Sequence, residues 1–267
     1  MILPSVPLVS LVLGLAAAAA YATPAAGSTR MGMDTVRKVL LVAWALHGLA
    51  LAYSLVGEEP RFGFAPSLSV TAWLALTVYG VETRMFPELR ALGALTGLGA
   101  AAVLVALVFP GTPMPRNASP WLALHLALGI ASYGLFAAAV FHAWLMTRAE
   151  KQMRQATGQH SGVPLLTLER LTFRFVMAGF ILLSATLLAG WLFAETLYGP
   201  GKAWQWNHKT VFSLLSWFAF ATLLVGRARF GWRGRTAVRV LYVGSFLLLL
   251  GYAGSRFVLE VILGRAT

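Results

Sequence analysis

Five histidines and no cysteine bound the metal chemistry open to this 267-residue chain. Without thiols the chain itself carries no disulfide, thiolate metal site, iron–sulfur cluster or covalent haem attachment, and imidazole is left as the good transition-metal donor. His125 and His142 are 17 residues apart. On one helix that is roughly 25 Å, so the two cannot share an ion. His160 falls in a polar connector, where a solvated histidine is the ordinary outcome. His125 and His208 come near the ends of two apolar segments at similar depth, and His47 lies near the middle of a third. Two imidazoles from different helices can hold a haem iron axially, which makes His125 and His208 the candidate metal ligands. The default against which that reading stands is a packed, hydrogen-bonded histidine.

The residues before His208 read Gly201-Lys202-Ala203-Trp204-Gln205-Trp206-Asn207. Tryptophans at a lipid–water boundary commonly form an interfacial belt. The functional reading makes Trp204 and Trp206 an aromatic shelf for a flat macrocycle, with Lys202 or Lys209 facing its carboxylates. Arg256 and Glu260 are spaced i, i+4, as an ion pair that fastens helices would be. Arg256 could instead take a propionate in its guanidinium fork. No Walker A, dinucleotide-binding, H-E-x-x-H or G-x-S-x-G signature is present.

The elements that must position these residues follow from composition. Hydrophobic residues make up 58% of the chain and charged ones 11%, with mean hydropathy +0.74, whereas a soluble domain carries about a quarter charged. So much apolar sequence requires lipid as its solvent. A spanning helix takes about 20 apolar residues, and eight such runs are legible, at roughly 3–22, 36–56, 66–83, 89–109, 120–147, 171–198, 207–226 and 238–263. The expected fold is all-α, a polytopic membrane helix bundle of about eight transmembrane helices. It forms one integral membrane domain over 1–267, with N-terminal spans in 1–110 and a core in 120–265. Ala20-Tyr21-Ala22 offers a signal-peptidase-like site, but Met1–Val6 has no Lys or Arg, so the first run is expected to stay as a span.

The net charge of +12 orients helices against anionic lipid; nucleic acid is not the partner it calls for. The segments between the first and second, third and fourth, fifth and sixth, and seventh and eighth runs hold ten of the 21 Lys and Arg, and five more, Arg37, Lys38, Arg90, Arg174 and Arg239, open the runs that follow them, which puts fifteen on one side; the other side holds six, Arg61, Arg116, Lys202, Lys209, Arg256 and Arg265. The richer side is expected to be cytoplasmic, with both termini outside.

Three stretches then carry a family resemblance. They are His125-Leu-Ala-Leu-Gly-Ile-Ala-Ser-Tyr-Gly-Leu-Phe136; Gly190-Trp-Leu-Phe-Ala-Glu195 with Trp204-Gln-Trp-Asn-His-Lys209; and Gly231-Trp-Arg-Gly-Arg235 with Gly251-Tyr-Ala-Gly-Ser-Arg256. The first is similar to the histidine-led helix of the cytochrome c assembly family, CcsA/CcmC type, and the second to its W-x-W-D-P-K-E segment. With the Leu46-His47-Gly48 element, the whole chain resembles the short YpjD/HemX-like branch, which lacks the extended tryptophan-rich domain. Asn207 and His208 stand where the family has Asp-Pro. The resemblance implies a bacterial inner-membrane protein, not an enzyme, that binds haem and presents it to apocytochrome or to other cytochrome c maturation proteins. It carries His125 over as a ligand; His208 as its partner is our own inference. Two alternatives stay open. One is a HemX-like regulatory or scaffold protein of tetrapyrrole or assembly pathways without stable haem. The other, with less in its favour, is a transporter.

Overall fold

The computed structural model describes residues 7–27, 31–57, 59–85, 92–114, 119–155, 164–195 and 206–263. Lys202, Trp204 and His160 lie outside them. The fold is all-α. Its helices are α1 Leu8–Gly27, α2 Met33–Val56, α3 Phe64–Met85, α4 Leu92–Val108, α5 Pro120–Arg154, α6 Leu165–Leu192, α7 His208–Phe230 and α8 Gly234–Ile262. Among the described residues six of these, α2, α3 and α5–α8, are long and apolar enough to cross a membrane, and α1 and α4 contribute shorter apolar helices. Outward side chains such as Leu49, Ile181, Phe218 and Phe246 are each more than half exposed. Large apolar groups presented all round are what lipid, not water, solvates.

Two helices depart from their expected bounds for one reason. Hydropathy falls off where a helix enters polar surroundings, but the backbone does not stop there. α5 runs on past Thr147 to Arg154. α6 starts at Leu165 instead of near Leu171, and its first turns hold Glu169 and Arg170. Glu169 is neutralised in place: its carboxylate pairs with Arg227 at the end of α7, and Arg233 Nε lies 3.2 Å away. α7 then closes on Gly231, whose φ of 64° is open to glycine at little cost, with Trp232 N–H donating to the Gly226 carbonyl at 3.1 Å.

The helices group into two compact units. The first comprises 1–80, 91–117 and 256–267, and the second 81–90 and 118–255. In the first, α1 packs against α2 and α4 around Ala17, Tyr21, Ala43 and Val103. Glycine permits the close approach: a Cβ on Gly14 would fall 2.7 Å from Leu107 Cδ2. A two-residue antiparallel pairing, Arg61 with Pro113 and Phe62 with Thr112, ties the α2–α3 turn to the one after α4. In the second unit α5 and α6 pack along their length, and Phe136 stacks on Phe220 with ring centroids 3.7 Å apart. Hydroxyls donate across helices to backbone carbonyls there, Ser132 to Gly179 at 3.2 Å and Ser216 to Gly244 at 2.8 Å. Such bonds replace water as partners within lipid.

Candidate functional site

The second unit places His125. Ser119 caps α5 by accepting from Trp121 N–H, and Pro120 occupies the first turn, where its missing N–H costs nothing. The helix start is thereby fixed, and His125 follows little more than one turn inside it. Its partner surface is α6. One turn towards the helix start, Trp121 stacks on Phe193, with centroids 4.1 Å apart and planes 14° from parallel. At the next level the His125 ring lies over Gly190; a Cβ there would come within 3.2 Å of Cε1. One turn further on, a Cβ on Gly129 would meet the Thr186 methyl at 3.6 Å. Glycine at 190 is therefore what lets the imidazole settle against the helix. The Thr186 backbone hydrogen-bonds the ring, while Nδ1 is buried with no aligned hydrogen-bond partner among the described residues.

His208 is the first residue of α7. The cap is its neighbour Asn207, whose Oδ1 accepts from the Thr210 N–H at 3.0 Å and hydroxyl at 3.2 Å. His208 is exposed and Trp206 is 74% exposed, so both stand at the boundary surface. His125 and His208 belong to one unit, but no hydrogen bond or ring contact joins them among the described residues.

His47 and Arg256 belong to the first unit. His47 is 1% exposed. Its Nε2 lies 2.8 Å from Ser69 Oγ and its Nδ1 3.3 Å from the Tyr21 hydroxyl, so both nitrogens are engaged. It lines a cavity of about 330 Å³ whose other walls include Gly14, Tyr53 and Leu107. Trp44 of α2 and Trp73 of α3 stack 5.1 Å apart, and Gly48 leaves room for the Trp73 ring. Arg256 pairs with Glu260 at 3.4 Å, as their spacing predicts, and the Glu260 carboxylate lies against Gly63.

Reading the sequence missed several polar groups. Tyr21 and Ser69 bear on His47. Glu82 and His142 meet 2.9 Å apart, both buried. Glu82 had a usable signal: it is an acid inside an expected span.

Comparison with known proteins adds the following. A family model described as Cytochrome C assembly protein matches residues 9–263. An uncharacterized 28.8 kDa protein in the nifR3-like 5' region of Azospirillum brasilense is 30% identical over 96% of this chain and 85% of its own length. Inner membrane protein YpjD of Escherichia coli strain K12 is 30% identical over 83% of this chain and 85% of its own. Cytochrome c biogenesis protein CcsA of Prochlorococcus marinus is 22% identical over 85% and 84%. No solved structure matches.

Proposed function

We propose, for a chain that belongs to the cytochrome c assembly protein family, that it handles haem in the bacterial inner membrane during cytochrome c biogenesis, and is not an enzyme in its own right. The observation that carries the reading is His125. The Thr186 backbone hydrogen-bonds the ring, while Nδ1 is buried with no aligned hydrogen-bond partner among the described residues, which is costly in lipid unless something else takes its lone pair or proton, and a glycine floor leaves the ring unobstructed by a side chain at that point. Those features fit an imidazole held ready for iron.

In this reading His125 and His208 would hold the iron, each through its imidazole. Trp204 and Trp206 would flank the macrocycle, and Lys202 or Lys209 would meet its carboxylates. Bound haem would supply the iron centre; the chain's part is to bind, to orient and to shield from water. His47 and Arg256 are proposed as haem contacts of the first unit, His47 after releasing Tyr21 or Ser69. The partners are membrane lipid, haem, and apocytochrome or other maturation proteins.

The engaged nitrogens of His47 favour a second reading, a HemX-like regulatory or scaffold protein without stable haem. Absorption spectra of detergent-purified protein with and without added haem separate the two. A Soret band that His125→Ala and His208→Ala each remove or shift, and His160→Ala leaves alone, is the expected result. Colourless protein that stays colourless with added haem points to the scaffold, and unchanged spectra in both variants overturn the axial pair.

A further inference from the structure

Glu82 and His142 take no part in the pocket proposed above, and each is an ionisable side chain on a membrane-spanning helix. Glu82 is three residues from the end of α3, about 5 Å of helix rise, and His142 lies within α5. Their side chains are 7% and 1% exposed, with Glu82 Oε2 2.9 Å from His142 Nε2. Both residues belong to the second unit.

The protonation of the pair follows from its contacts. His142 Nδ1 is 2.7 Å from the Ala138 carbonyl oxygen. A carbonyl only accepts, so Nδ1 bears the hydrogen. A neutral imidazole has one N–H, which leaves a lone pair on Nε2 pointing into the side where the carboxylate oxygen sits. The Nε2–Oε2 contact lacks hydrogen-bond alignment, and neither Glu82 oxygen finds a hydrogen-bond donor among the described residues. An ionised Glu82 would then have no solvation from hydrogen bonds. No other cation relieves it: among the described residues no Lys or Arg forms an ion pair with Glu82. Arg84 on α3, Arg148 on α5 and Arg174 on α6 are exposed, and Arg148 sits over the Trp144 ring. The rings beside His142 are Phe141 and, from α6, Phe175 at 5.3 Å. A carboxylate beside a neutral imidazole, walled by aromatics in lipid, is an uncompensated charge.

One more proton removes the conflict in either of two places. On Nε2 it makes imidazolium beside carboxylate; on Glu82 it makes a neutral acid beside a neutral imidazole. We propose that Glu82 and His142 form a one-proton binding site between α3 and α5. A proton taken from water at the near end of α3 binds there, and its release returns it to that water and frees the last turn of α3 from α5. This inference stands apart from the haem reading.

The test uses the full-length protein in detergent, followed by infrared spectroscopy with labelled glutamate and histidine during a pH titration. A carboxylic-acid or imidazolium band, shifted in deuterated buffer as a proton drawn from water requires, should titrate as one proton per chain and vanish in Glu82→Gln, whose amide fills the same space uncharged. Thermal unfolding supplies a second readout. His142→Gln should lower the midpoint, and adding Glu82→Gln should restore at least half of the loss, because the stranded carboxylate is then gone. The site is overturned if the unmutated protein shows no such band that titrates, if the band survives Glu82→Gln, or if the two substitutions lower the midpoint additively.

Discussion

The Tyr133 hydroxyl on α5 donates to the carbonyl of Leu248 on α8, two residues before that helix widens into the π turn Leu250–Gly254. Its neighbour Ser132 donates to Gly179 of α6. Adjacent residues of one helix thus fasten it to two others, and the Ser-Tyr pair that carried part of the family resemblance is a structural clasp here. Each bond satisfies a hydroxyl inside a core that offers no water. Tyr133→Phe and Ser132→Ala should each destabilise the protein by about 1 kcal/mol, read as a fall in the unfolding midpoint, and neither should move the spectrum of haem-loaded protein. A spectral change as large as that of His125→Ala would place Tyr133 at the cofactor instead.

Gly190 gives the haem reading a steric test that leaves every polar group in place. A Cβ there lands 3.2 Å from His125 Cε1, tighter than ordinary van der Waals contact. Gly190→Ala should tilt the imidazole and shift the Soret band modestly; Gly190→Val, branched at that carbon, should shift it further or abolish it. Gly129→Ala, whose Cβ would meet the Thr186 methyl at an unstrained 3.6 Å, is the control and should leave the band unchanged.

Much of the fold was legible because lipid imposes a simple rule. Each span must be a long apolar helix, so eight runs of hydropathy became eight helices, and the Arg256–Glu260 spacing became an ion pair. What failed was the treatment of charge at helix ends. Glu169 and Arg170 read as connector, yet they are helical because Arg227 and Arg233 arrive from distant sequence to neutralise Glu169. The candidate site was legible to the same degree. His125 stands out as a histidine just inside a capped helix, but its glycine floor comes from residue 190. The engagement of His47 by Tyr21 and Ser69 likewise depends on pairings between helices that no spacing within one segment encodes.

The Glu169 cluster should be a measurable part of stability. Arg227 pairs with Glu169, lies over the Phe173 ring at 4.5 Å and donates to the Trp232 carbonyl at 3.4 Å. Glu169→Gln removes the charge from beneath two arginines while keeping the shape. Arg227 and Arg233 are 28% and 62% exposed, so solvent screens part of the attraction and the loss should be about 1 kcal/mol. Denaturation at low and high salt checks it: the difference between Glu169→Gln and the unmutated protein should shrink as salt rises. A loss independent of salt would assign the effect to packing.

Orientation in the membrane is the remaining prediction, and two contacts bear on it. In the first unit the α2–α3 turn pairs with the strand that follows α4, through Arg61 and Pro113. In the second, the start of α6 meets the turn after α7 through Glu169 and Arg233. Each contact joins turns separated by two helices, as alternate crossings require. The charges then set the direction. If the runs cross alternately in sequence order, fifteen of the 21 basic residues are assigned to the side that includes Glu169's partners and six to the side of Arg61, and the richer side should stay in the cytoplasm. A reporter fused after Gln155, the cap of α5, should therefore be active only as a cytoplasmic enzyme. One fused at Gly201, outside the described residues, should be active only in the periplasm, and both termini should be periplasmic. Periplasmic activity at Gln155 would invert the orientation and move His125 to the cytoplasmic leaflet.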